Sequence, residues 1–222
     1  MLLYLSSYMF GTAFELLRER CGTGNRVALV ANALDQYAPD AKQYRVDLEI
    51  KKLSQWDLNA EEIDLRSFFL ERIGIGDQLD KFDLLWVYGG NSFVLQRAFE
   101  QSGLNMILAD RLRSSSLIYG GFSAALVPVM TTLRGLDICD DAQVVPSGYK
   151  PEFSPTGLAL VDRVIVPHFQ SDHRESPAID TYVAFLEGHE IPHIKLRDGE
   201  ALLVTETNRE IVGRPLKLGP DR

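Results

Sequence analysis

Three short apolar runs, "RVALV", "DLLWV" and "LIYGG", recur between stretches of helical spacing. None has a polar alternate face, so as strands they must be covered on both sides. That requirement leaves few architectures. Strands buried on both faces and separated by helices predict a mostly parallel sheet between two helical layers.

The rest of the chain supplies those layers. "LLYLSS" reads as a first strand, and "AFELLRERC" as a helix stopped by Gly22. "AKQYRVDLEIKKLSQW" reads as an amphipathic helix, with Tyr44, Val46, Leu48, Ile50 and Leu53 as its apolar surface. "EEIDLRS" is a short strand, and "FFLERIGIGDQLDKF" a helix broken by Gly74 and Gly76. "SFVLQRAFEQSG", "NMILADRLRSS" and "AIDTYVAFLEGH" are helices, and "RVIVPHF" is a later buried strand. The tail "HIKLRDGEALLVTETNREIVGR" differs, with short strands split by the Asp198-Gly199 turn and by polar residues 206–209. It predicts antiparallel edge strands. The expected fold is a three-layer α/β/α sandwich, formed as one domain over residues 1–222.

Charge and composition narrow the function. Net charge is −8 and no lysine/arginine stripe stands out, which argues against a nucleic-acid partner. No run approaches the roughly 18 apolar residues of a membrane helix. "MLLYLSSYMFG" lacks the basic leader of a signal peptide, so a cytoplasmic location is expected. Two cysteines, Cys21 and Cys139, give no disulfide framework. Ligand-type residues show no metal spacing, and no cofactor or metal is expected.

Two strands end in the same way. "LLWVYGGNSFVLQRAF" and "LIYGGFSAALVPVM" each pass from an apolar run through a glycine pair into a helix. Sites in open parallel sheets form at such carboxyl ends. "GGFSAA" is close to the G-x-S-x-G elbow, in which a tight turn lifts a serine hydroxyl above the sheet. Gly121 fits the first glycine, and Ala125 replaces the last. Ser123 is therefore a candidate nucleophile, with helix capping as its structural alternative. Its base should lie at another strand end. His168, after "RVIVP", fits best, with His173 as the backup, while His189 and His193 flank a helix-to-strand loop. "YGGNS" offers backbone N–H groups for an oxyanion, and Asn91 either caps the following helix or binds substrate.

"YGGNSFVL", "GGFSAA" and "VPHFQSDH", in this order and spacing, resemble the peptidase E (aspartyl dipeptidase) family of serine peptidases, which includes cyanophycinases. "LYLSS" and "LRGLDICDD" are also similar to its bacterial members, and the resemblance covers residues 1 to about 180. It implies a class I glutamine amidotransferase-like (flavodoxin-like) fold and a homodimer. It also implies Ser123 as nucleophile, His168 as base, and Gly90 and Ala124 N–H groups as the oxyanion hole. The family's acid follows the serine by about fifteen residues, which points to Asp137, with Asp140 or Asp141 as alternatives. Two departures stand out. The family's S-A-G-A is S-A-A-L here, and "SDHRES" stands where peptidase E carries a G-E-T-R arginine for the substrate's aspartate. Arg174 lies in that region without matching.

The expectation is a serine hydrolase acting on a small peptide or related amide without strict aspartyl specificity. One rival is a cysteine amidotransferase on the same fold, opposed by serine at position 123. The other is an inactive small-molecule binding or interaction protein, kept open by Ala125 and the missing arginine.

Overall fold

A computed structural model describes residues 1–71 and 74–216. Its strands are β1 (Leu3–Ser6), β2 (Arg26–Val30), β3 (Asn59–Glu62), β4 (Leu84–Val87), β5 (Ile118–Phe122), β6 (Val164–Val166), β7 (His193–Lys195), β8 (Glu200–Val204) and β9 (Arg209–Gly213). Its α-helices are α1 (Phe14–Arg20), α2 (Pro39–Ser54), α3 (Ile75–Leu79), α4 (Ser92–Ser102), α5 (Leu104–Arg113) and α6 (Ser176–Gly188).

Seven strands form one sheet in the order β3-β2-β4-β5-β1-β8-β9. The first five are parallel, and β8 and β9 close one edge as the expected antiparallel pair. Alternating strand residues feed two apolar layers. Leu3, Leu5, Ala28, Val30, Leu85 and Val87 pack under α4 and α5. Tyr4, Val27, Leu29, Leu84 and Trp86 pack under α1 and α2. This is the three-layer α/β/α arrangement that the apolar runs predict, consistent with the flavodoxin-like fold that the resemblance implies. No helix among the described residues is long and apolar enough to cross a membrane.

Three local expectations change. α2 buries Lys42, Val46, Glu49 and Leu53, while Tyr44 and Leu48 are exposed. The i, i+4, i+7, i+11 series is one helical face, whereas alternating apolar residues diverge around the helix. The two buried charges have partners: Lys42 Nζ lies 2.8 Å from Asp35, and Glu49 accepts from Trp86 Nε1 at 3.0 Å. Next, β6 does not join the main sheet. It pairs in parallel with β7 as a separate two-stranded sheet, and β7 is thereby removed from the antiparallel tail. Finally, the strand expected over residues 61–67 ends at Glu62 and gives way to a 3-10 turn at Leu65–Phe68, while the broken helix expected over residues 68–82 is reduced, among the described residues, to α3, with residues 72 and 73 outside them.

The sheet register explains why two similar junctions matter. β4 and β5 are neighbours, with Val87 opposite Gly121, and β1 flanks β5 with Ser6 opposite Phe122. The chain therefore leaves the sheet at adjacent points after Val87 and after Phe122.

Candidate active site

Each junction is shaped by what its glycines allow. Gly90 has φ +146°, and a Cβ there would lie 2.6 Å from the Ala33 carbonyl oxygen. Only glycine suits both constraints. Asn91 then caps α4: its Oδ1 accepts from the Phe93 and Val94 N–H groups at 3.0 and 2.9 Å. Its Nδ2 donates to the Asp141 carbonyl at 3.0 Å. Its side chain thus makes the helix cap expected of it.

At the second junction, β5 runs through both glycines and the turn falls on Ser123, with φ +55°. Ser123 opens a 3-10 helix that continues to Val129. A Cβ on Gly121 would stand 2.5 Å from the Ala125 Cβ and 2.5 Å from the Val87 carbonyl oxygen. The missing side chain at Gly121 thus makes the room that Ala125 occupies. Tyr119 Oη donates to the Ala125 carbonyl at 2.6 Å and ties this helix to the strand. The junctions also touch, since a Cβ on Gly89 would meet Ser123 Cβ at 3.0 Å.

The Ser123 hydroxyl lies 3.1 Å from His168 Nε2. His168 Nδ1 lies 2.8 Å from Asp198 Oδ1. His168 is 1% exposed and also has a positive φ, +59°. Left-handed conformations in non-glycine residues carry about 1–3 kcal/mol of strain each, held in place by their surroundings. At His168 those surroundings are identifiable. Its N–H donates to Ser7 Oγ at 2.8 Å, and its carbonyl accepts from Ser176 Oγ at 2.7 Å. Ser7 Oγ donates in turn to Asp198 Oδ1 at 2.8 Å, and the Asp198 N–H donates to Ser171 Oγ at 2.8 Å. Strand β1, the loop after β6 and the turn before β8 thus converge on one imidazole–carboxylate pair.

Electrostatics fit this wiring. Burial alone would raise the Asp198 carboxyl, but hydrogen bonds and charge from His168, with help from Ser7, outweigh it and hold the group below its ordinary range. The thiols go the other way. Burial, with the charges of Asp140, Glu175 and Asp137, pushes Cys139 up to about 12, and burial raises Cys21. Both cysteines are free, and neither is primed as a nucleophile.

The carboxylate that meets His168 is Asp198, a residue the sequence offers only as half of a turn. No fixed spacing links it to His168, 30 residues earlier, because the contact depends on the β7-to-β8 connection crossing to β1. The acids inferred by counting lie elsewhere. Asp137 is exposed on a 3-10 turn, Leu136–Ile138. Asp141 Oδ1 accepts from the Gln143 N–H within its own loop. Asp140 lines the cleft, but its Oδ2 accepts from the Ser92 N–H at 2.9 Å. Burial, opposed by that bond, raises its carboxyl.

Ser123 and His168 open into a cleft of about 430 Å³ that Gly90 and Asn91 also line. Tyr8, Tyr88 and Phe122 form aromatic wall, with Tyr88 and Phe122 rings 4.8 Å apart. Ala124 is buried at the start of the 3-10 helix. Neither the Gly90 nor the Ala124 N–H has a protein acceptor among the described residues. Two arginines reach the cleft: Arg45 lies over the Tyr37 ring at 4.7 Å, and the highly exposed Arg174 lies 3.6 Å from Glu175.

Known proteins share this frame. An uncharacterized peptidase of Pasteurella multocida is 25% identical over 216 residues, covering 95% of this chain and 97% of its own. Peptidase E of Streptomyces coelicolor is 33% identical over 141 residues, 61% of this chain and 54% of that protein. Among solved structures, a candidate peptidase E protein of Listeria monocytogenes superposes with a TM-score of 0.76 at 22% identity, covering 97% and 98% of the two chains. A peptidase from an acI-B1 actinobacterium gives 0.65 at 12% identity, covering 96% and 87%. The sequence model of peptidase family S51 matches residues 2–212. The chain belongs to peptidase family S51 and is a serine-type peptidase.

Proposed function

We propose that the protein hydrolyses small peptides through an acyl-enzyme on Ser123, with His168 as base and Asp198 as the acid that orients it. The observation that carries this reading is the continuous hydrogen-bonded chain from Ser123 Oγ through both His168 nitrogens to Asp198. His168 Nε2 takes the hydroxyl proton as Ser123 Oγ bonds to the substrate carbonyl carbon. Asp198 keeps the other nitrogen protonated and stabilises the imidazolium. The carbonyl oxygen, now negative, is held by the N–H groups of Gly90 and Ala124. The imidazolium then gives its proton to the departing amine, and the C–N bond breaks. Water, deprotonated by the same nitrogen, releases the acyl group and restores Ser123.

The fit of Ala125 against Gly121 supports an intact elbow and favours this reading over an inactive binding protein. A cleft of about 430 Å³ suits a substrate of a few residues. Residues 1–222 act as one domain in this reading. The test is a panel of dipeptides varied at the first position, run on wild type and Ser123→Ala. Turnover of at least one peptide by wild type and none by the folded variant is expected. Undiminished turnover by the variant would refute the assignment.

A further inference from the structure

His173 is not needed for the acyl transfer, yet it lies against the base. Its ring stacks on His168 with centroids 3.7 Å apart and planes 8° apart. Tyr8 meets both rings edge-on, at 5.9 Å from His168 and 5.3 Å from His173. His173 Nδ1 accepts from the Glu175 N–H at 3.3 Å, which leaves the ring proton on Nε2 in the neutral form. A loop residue is therefore fixed at one nitrogen and laid flat over the face of an almost fully buried imidazole.

The same neighbourhood suggests chelation at first sight, because ligand atoms of His168, His173 and Glu175 come within 4.8 Å of one another. Ring geometry opposes it. Imidazole lone pairs lie in the ring plane, so two nearly parallel stacked rings aim theirs side by side and not at a shared point. Both His168 nitrogens are also occupied, by Ser123 and Asp198.

We propose that His173 is a positioning residue whose ring caps the open face of His168, keeping Nε2 aimed at Ser123 and supporting the imidazolium formed during acyl transfer. The inference rests on the reading of His168 as base. Face-on contact with a neutral π system is favourable to a cation, and the surroundings keep His173 neutral. Burial first, and the adjacent His168 second, hold it at about 4. Arg174 pushes in the same direction, and Asp198 opposes. Tyr8 packs against the ring, and Asp172, Glu175 and Asp140 line the same cleft.

The test needs no known substrate. A fluorophosphonate probe reports Ser123 nucleophilicity, and a low-field proton NMR signal reports the His168 Nδ1–H bonded to Asp198. His173→Ala and His173→Gln should lower the saturating labelling rate by about tenfold or more, with the probe's half-saturating concentration held to within about twofold. His173→Phe, which keeps a flat ring and loses both nitrogens, should recover most of that rate. The low-field signal should persist in wild type and His173→Phe and broaden in the other two. Wild-type labelling rates in His173→Ala and His173→Gln would overturn the proposal. So would a His173→Phe variant as slow as His173→Ala, which would assign the role to ring nitrogen. EDTA-sensitive labelling in wild type would overturn it in favour of a metal. Failure of wild type to label at all would instead count against Ser123 as nucleophile, and the NMR comparison would still decide whether the stack orders His168.

Discussion

The two strand–glycine junctions look alike in sequence and do different work. After β4, the strand stops before its glycines. Gly90 takes the left-handed turn, and Asn91 caps an 11-residue α-helix. After β5, the glycines are still strand, and the left-handed turn is forced on Ser123. The chain then enters a 3-10 helix of 7 residues. One junction is relaxed and offers backbone. The other is strained and offers a side chain. A glycine pair marks a place where chains approach closely, and its neighbours decide which residue bends. Beside Ala33 the glycine bends; between Val87 and Ala125 the glycine stays flat and the serine bends.

The largest losses are expected at the side chains that the strained junction presents. Ser123→Ala should abolish hydrolysis with the fold intact. His168→Ala should lower kcat/KM on the order of a thousandfold or more, as loss of a triad member does. Steady-state kinetics beside circular dichroism separates chemistry from folding. A mild His168→Ala beside a crippling His173→Ala would reverse the assignment of base.

Next comes the acid. Asp198→Asn should cost about a hundredfold or more in kcat, while Asp137→Asn stays within about twofold. Asp198→Asn also tests the pH dependence of stability. Asp198 sits below its ordinary range when folded, so it binds its proton more readily in the unfolded chain. Its contribution is present above the unfolded carboxylate range, near pH 4, and is lost as pH falls through the lower folded value. Chemical denaturation between pH 7 and pH 3 should show a steeper acid loss in wild type than in Asp198→Asn. Equal slopes would remove Asp198 from that account.

The junction backbones come third. Gly121→Ala sets two Cβ atoms 2.5 Å apart and should destabilise by about 1–3 kcal/mol. Gly90→Ala meets the Ala33 carbonyl oxygen, so it should distort the oxyanion side and lower kcat more than stability. Thermal melts with kinetics distinguish the two. Similar profiles for both variants would erase the contrast between the junctions.

The smallest effect concerns specificity. Arg174 is exposed and beside Glu175, a poor setting for reading a carboxylate. Asp-X dipeptides should not be strongly preferred, and Arg174→Ala should leave the first-position profile within about twofold. A marked Asp-X preference lost in that variant would identify Arg174 as the reader.

Much of this molecule is legible in its sequence. Apolar runs without a polar face specify the parallel sheet, and the side-by-side placement of β4 and β5 fits their burial. Ser123 and His168 are legible as candidates because each follows a strand, and strand ends carry a local signature. Asp198 has no such signature, since its role depends on a loop crossing from a small side sheet to β1. That side sheet is itself hidden, because "RVIVP" is as apolar as a central strand. The stack of His173 is equally invisible, because it depends on how a polar loop turns back over the base. Tyr44 and Leu48 mislead for a simpler reason: they alternate with Val46 and Ile50, whereas helical spacing governs which residues are buried.

The proposed hydrolysis turns on activation of Ser123 by His168 and Asp198. Its most direct test is fluorophosphonate labelling of the wild-type protein, then peptide mapping by mass spectrometry, with Asp198→Asn in parallel. One adduct on Ser123, formed far more slowly in Asp198→Asn, is the predicted result. A folded wild-type protein with no adduct, an adduct at another residue, or equal rates in both proteins would contradict the claim.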